Sequence, residues 1–432
     1  MMKNQLYTNV SVFDGVSKGT YLGEVLIQGN RIKAVVKGKN QISKEGAEVI
    51  DGQGSTLMPG LVNCHGHISY PNLGGSLSDI GDIPPEEHML LTVHNAKTMI
   101  DYGFTAVVSA AAAKPRLDIV LRNEIEAGRV PGPRLRACTP QFNTTAGPWD
   151  ARQLHMDHAT FDEIADGPIE FRRKVRMYIR EGVDMVKLSI SGDNFSREFA
   201  GEQDTTISED EIAAATEVAH SRGVRLCSHS RSDQSVLLSM KYGIEIIHHA
   251  THISDRTVEK LGRKSSKFFV CPALGITYAT AYEAQDWGVD ADYVETRYLV
   301  REFELGCKIA RKLVAAGVKV LPFGDYGVAW NPLGTDSRDL EHFVNQVGFS
   351  PAQTLTMATK WGGECYAGVG NTVEIGEVKE DYLADLIMID GDPLSDITLF
   401  QDQDNFLMIM KNGEYHKKPR NRRISRKQRQ VR

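Results

Sequence analysis

The sequence predicts an α/β protein, a (β/α)8 TIM-type barrel with a small β-sandwich domain formed from both chain ends. Three observations predict it. Eight short apolar strand segments recur through the middle of the chain, each beside a helix-like stretch. Both ends instead carry strand texture broken by Gly, Asn and Asp turns. Metal-ligating residue types fall at the ends of the central strands, the rim where barrels of this kind place their chemistry.

In chain order, LYTNVSVFDG, YLGEVLIQGNRIKAVV and AEVIDGQGSTLMPG are the opening strands. The eight central segments are GLVNCHGH, TAVVSA, RLRACTP, DMVKLSIS, VRLCSHS, IEIIHHA, KFFVCPAL and VKVLPFGD. Helix starts support this phasing: Ser208 to Glu211 reads as a capping box, and Ser350-Pro351 places Pro at the first helical position. Gly182 and Gly223 stand where left-handed helix ends are expected. After the barrel, VEIGEVKEDYLADLIMID and NFLMIMKNGEYH return to strands. Neither terminal piece could cover its own apolar face, so 1–59 and 368–416 are expected to form one composite domain around a barrel at 60–367.

Bulk properties agree. A chain of 432 residues exceeds a single core, and 41% apolar with 25% charged residues is ordinary globular composition. No membrane-length run and no leader-like apolar segment are read, and the six cysteines are dispersed, so a cytoplasmic protein is expected. The segment 417–432 holds nine Lys or Arg; without them the formal charge of −6 becomes −15. It lacks aromatic interleaving and reads as a flexible tail, so neither nucleic acid nor membrane is an expected partner.

The chemistry begins with His65-Gly66-His67. Alternate side chains of a strand share a face, so both imidazoles can reach one metal ion. Lys187 lies in an apolar strand, where a cation costs desolvation free energy unless neutralised or paired. His229, His249 and Asp325 end three later strands. Singly, each also reads as a hydrogen-bonded core histidine, a salt-bridged lysine or a capping aspartate. Jointly, ligand-type residues at the ends of five barrel strands point to a metal site. Cys64 and Cys227 neighbour these positions but read as small barrel-filling residues.

The motifs MPGLVNCHGH, VKLSISG, CSHS, HHAT, FGDYG and MATKWGGECYAG through EIGEVKEDYLADLIMID resemble the amidohydrolase superfamily of metal-dependent hydrolases, most of all its imidazolonepropionase-like and Xaa-dipeptidase-like branch. The resemblance implies that His65, His67 and Asp325 hold one divalent ion and His229 and His249 a second. It also implies that Lys187, carboxylated by carbon dioxide to N6-carboxylysine, bridges them. Two such ions lower the pKa of a shared water, and Asp325 then serves as general acid and base while an amide-type C–N bond is cleaved. Zinc is the expected metal, with Mn, Fe or Co sharing the ligand chemistry.

Two departures matter. His248 replaces the glutamate usual before the strand-six histidine. On an extended strand it would face away from His249, as an outward or supporting residue. Arg231 stands two residues past His229, where a guanidinium would suit a substrate carboxylate; the competing reading pairs it with a loop acid such as Asp233. Long connections at 141–168, 191–207 and 275–292 are expected to overhang the rim. They carry His155 and His158 as further candidate substrate contacts, and Trp149, Tyr278 and Trp287 as candidate apolar walls. A small-molecule substrate and a homo-oligomer are expected. The alternatives are a mononuclear deaminase of a heterocycle, which uses HxH, two more histidines and an aspartate, and a non-catalytic assembly protein on the same fold.

Overall fold

All eight central strand segments form parallel strands, because each couples a short β-branched or apolar run to a following helix that covers it. The computed structural model describes residues 4–74, 77–150, 152, 154–155, 162–197 and 200–420. Strands Leu61–Gly66, Phe104–Ser109 and Arg134–Arg136 make one parallel sheet. Met185–Ser189, Arg225–Ser232, Ile246–His252, Phe269–Cys271 and Lys319–Val320 run in order through a seven-stranded sheet that begins with two short strands from the 141–168 connection. A parallel bridge from Cys138 to Met185 links the two sheets.

The helix signals are realised. Ser208 and Glu211 form a reciprocal capping box, and Ser350 accepts from the backbone of Gln353. Gly182 closes its helix at φ 94. The six cysteines are free and buried. The 275–292 connection differs from expectation. Its first part is a helix, Leu274–Tyr282, with Tyr278 packed on Phe303 and His342, and Trp287 is half exposed. An apolar run ITYATAY of mixed propensity takes helical form where neighbouring helices offer a face to bury it.

The chain ends meet in an eight-stranded sheet. Thr56–Pro59 pairs antiparallel with Leu386–Ile389, and their shared core includes Tyr7, Val25, Leu57, Leu386 and Met408. The other face of this sheet packs on the α/β body, where Phe406 and Ile409 join Met99 and Phe104. The joint is also ionic: Arg134 donates to both oxygens of Asp385, at 2.6 and 3.1 Å, and Asp385 is buried. Among the described residues, no helix is long and apolar enough to cross a membrane.

Removing Arg134 strands a buried carboxylate between two layers. Arg134→Ala is expected to destabilise the fold by about 3 kcal/mol, with Arg134→Lys recovering part of it. Thermal unfolding of both variants checks this, and an unchanged midpoint in the alanine variant refutes it.

Candidate active site

Parallel pairing places Ser189, His229, His248 and Cys271 side by side on four neighbouring strands, with Lys187 one layer below. The HxH pair leaves the end of Leu61–Gly66, where Gly66 is required: a Cβ there would lie 2.5 Å from Val107 Cγ1. Asp325 follows the last parallel strand in a turn with φ 77 at Phe323 and φ 55 at Asp325. Gly324, between them, lets this turn press on His65, since its Cβ would meet His65 Nδ1 at 2.7 Å. Asp339 clamps the turn from behind, accepting from Phe323 N at 2.9 Å and from the Tyr326 hydroxyl at 3.0 Å. Left-handed backbone at non-glycine residues persists where surrounding contacts over-determine it, and such positions cluster at functional sites.

The geometry gives two adjoining groups, His65–His67–Asp325 and Asp193–His229–His249, each with its ligand-type atoms within 4.8 Å of one another. Nε2 of His65 and Nε2 of His67 each lie 3.0 Å from Asp325 Oδ1. His249 Nε2 is 3.6 Å from Asp325 Oδ2, which joins the groups. His229 Nε2 lies 3.2 Å from Asp193 Oδ2. Lys187 is buried, and its Nζ is 2.7 Å from His248 Nδ1.

His248 corrects the outward option of the sequence reading and keeps the supporting one. It does not face outward: it is fully buried, touches Lys187 and stacks on His65 with ring centroids 3.7 Å apart. The reason is local backbone. His249 has φ 72 and Ala250 φ 54, so strand alternation ends there and both neighbouring imidazoles turn to the same region.

Arg231 is a second correction. Its guanidinium is buried and committed, with Nε 2.7 Å from Asp193 and Nη1 2.8 Å from Glu302. Glu302 also receives His252 at 2.5 Å. Asp233, the partner considered from sequence, instead accepts from Ser254 N. Neither Asp193 nor Glu302 was singled out from sequence. Asp193 carried a signal, an acid in the loop directly after the lysine strand. Glu302 carried none, because it arrives from a helix 71 residues beyond Arg231. His155 is exposed and is not among the residues lining the cavity, while His158 lies outside the described residues.

Burial sets the protonation states. It drives the His65 imidazole down to about 3 against the opposing pull of Asp325, and His229 down to about 4 against that of Asp193. His248 and His249 are lowered well below their ordinary value by burial, and neighbouring positive charge adds to it. Burial alone would raise Asp325, but the neighbouring His65 and His249 imidazoles and a hydrogen bond from His67 hold it well below the usual carboxylate range. The site therefore offers neutral imidazoles and an ionised carboxylate, the donor states that a divalent cation requires. A cavity open to solvent lies over these groups and is lined by His67, Lys187, Asp193, His229 and Asp325 together with apolar side chains that include Trp149.

Two outcomes are expected. Arg231→Met leaves Asp193 and Glu302 buried without their cation, so it should cost about 3 to 5 kcal/mol of stability; retained stability with a higher KM for carboxylate substrates would restore the sequence reading. In chelator-treated protein, the unfolded chain binds protons at His65 and His229 that the folded chain refuses once pH falls below 6.5. Stability should therefore drop as pH falls from 6.5 to 4, and a flat urea midpoint over that window contradicts the assignment.

Comparison with known proteins is consistent with this geometry. The chain is 23% identical to the ochratoxinase of Aspergillus niger over 382 residues, covering 84% of this chain and 76% of that protein. The crystal structure of that ochratoxinase superposes with a TM-score of 0.80 at 19% identity, covering 97% of each chain. A Xaa-Pro dipeptidase with methionine bound in its active site superposes with a TM-score of 0.84 at 22% identity, covering 96% of this chain and all of that one. A model of the amidohydrolase family matches residues 56–415. The match takes in all eight central parallel strands and both ligand groups, and the chain belongs to the amidohydrolase family.

Proposed function

We propose that this hydrolase is binuclear and cleaves an amide-type C–N bond, as in a dipeptide, N-acyl amino acid, lactam or carbamate. His65, His67 and Asp325 would hold one divalent ion and His229 and His249 the other, with carboxylated Lys187 as a ligand common to both. The observation that carries this reading is the adjacency of two ligand groups joined through Asp325, with the Lys187 charge acting on both His65 and His229. The donors fit such ions: His65 Nε2, buried and 3.0 Å from Asp325, is out of line for a hydrogen bond and has no partner. Imidazole-rich ligation suits zinc best, with Mn, Fe or Co sharing the donor chemistry. Among the described residues Lys187 has no carboxylate partner; its neighbour is the neutral His248 imidazole. Converting that amine to a carbamate replaces a buried cation with an anion that two divalent ions can neutralise.

When bound, the ions supply Lewis acidity towards a carbonyl and a water of lowered pKa. The chain does the rest. Asp325, ionised at neutral pH, takes the proton of the attacking water and returns it to the leaving nitrogen. Asp193 orients His229, and Arg231 holds Asp193 in place. Tyr70, stacked on His67 at 4.2 Å, shields that imidazole from solvent.

The same reading closes the two parallel sheets into a barrel over 60–367 and packs the eight-stranded sheet as a sandwich from 1–59 and 368–416. The contacts of His65 with Asp325 and Gly324 support closure. Against a mononuclear deaminase stands the second ligand group beside the first, with Lys187 at hand. A cytoplasmic, homo-oligomeric enzyme acting on a small molecule completes the proposal.

Purified protein is expected to carry about two divalent ions per chain, and Lys187→Ala one or fewer. Metal analysis by mass spectrometry decides: one ion in the wild type favours the deaminase, and none favours an assembly protein.

A further inference from the structure

The floor and the walls of the cavity differ in chemistry. The floor is ionic, made by the ligand groups and Lys187. Two apolar clusters make the walls. In one, Tyr70 and Trp149 pack against Ile80 and Leu117. In the other, Phe195 and Trp330 pack against Ile276 and Val328. The Trp330 indole N–H donates to Thr280 Oγ1 at 2.9 Å, so its polar atom is satisfied within the protein and its ring is left to the cavity. Gln141 is an uncharged polar group among these wall residues.

Among the described residues, the walls hold no cation. Arg231, placed by sequence to meet a substrate carboxylate, spends its guanidinium on Asp193 and Glu302 and does not line the cavity. Arginines on the overhanging connections are engaged elsewhere: Arg152 grips both oxygens of Asp150, and Arg197 lies over the Tyr298 ring and 3.7 Å from Glu202. The stretches of those connections outside the described residues contain no Lys or Arg in sequence. A carboxylate on a substituent resting against these walls would lose its water to aromatic faces, which are electron-rich, and gain no partner.

We infer that the site, read as the hydrolase proposed above, takes a neutral substrate with an aryl or bulky alkyl group on each side of the scissile bond, such as an anilide or aryl carbamate, and is not anchored through a substrate carboxylate. The two apolar clusters give each substituent its own wall to rest against. The dipeptide and N-acyl amino acid options thereby give way to neutral amides and carbamates.

The test uses a matched pair, N-benzoyl-phenylalanine and its neutral N-methylamide, with an aryl carbamate as third ligand. Binding is measured by calorimetry on metal-loaded and chelator-treated protein, and hydrolysis is followed separately. The neutral member is expected to bind at least about tenfold more tightly in both forms, and Trp330→Ala and Trp149→Ala each to weaken it by about tenfold. Equal or tighter binding of the carboxylate form, or no binding by any of the three, overturns the inference. Neutral preference in binding without hydrolysis sinks the hydrolase reading and leaves the pocket assignment standing; hydrolysis with carboxylate preference does the reverse.

Discussion

The Asp325 carboxylate is the joint on which the site depends. It lies 3.0 Å from both His65 and His67 and 3.6 Å from His249, so it connects residues from the first, sixth and last parallel strands. Such a contact needs both sides to be held. Gly324 removes the side chain that would push the turn off His65, and Asp339 ties the backbone of Phe323 and the ring of Tyr326 on either side of Asp325. The left-handed backbone at Phe323 and Asp325 is the conformational cost of aiming that carboxylate inward.

A second constraint is electrostatic. Buried charges survive where they are paired, and Asp193, Arg231, Glu302 and His252 form one chain of such pairs running from the cavity to the helix Leu299–Ala315. Arg231 therefore acts on the site through Asp193, which it orients towards His229. A charged network of this type favours one geometry for the strand end even when its net stabilisation is small.

Much of this was legible in the sequence because it follows from periodicity. The eight parallel strands, the capping box at Ser208 and the helix-ending Gly182 answer to local patterns whose physics is local. His65, His67, His229 and Asp325 were legible because strand ends are visible as the close of apolar runs. What was hidden depended on tertiary context. Two-residue alternation let only one of His248 and His249 face inward, and positive φ at His249 and Ala250 broke that alternation, so both imidazoles lie at the site. Glu302 could not be foreseen as the partner of Arg231, since nothing near either residue names the other. The 275–292 connection read as a loop because its helix is stabilised by neighbours such as Phe303, not by its own propensity.

The fate of Arg231 shows how a residue type can mislead about specificity. A guanidinium two positions past a ligand suggests carboxylate recognition only while its partners are unknown. Once Asp193 and Glu302 occupy it, the charge belongs to the scaffold, and selection of substrate falls to the aromatic side chains that remain. Those side chains come from segments outside the parallel strands: Trp149 and Phe195 follow the third and fourth strands, and Trp330 follows Asp325. The rim formed by the ends of the parallel strands thus separates two tasks. Strand ends, fixed by sheet hydrogen bonds and buried ion pairs, carry the ligand groups, while the connections carry the surface against which a substrate packs. Wall and floor still meet at two points, where Tyr70 stacks on His67 and the Phe195 backbone N–H donates to Asp193 at 2.8 Å, so Trp149 and Trp330 are the wall residues freest to change without disturbing the floor.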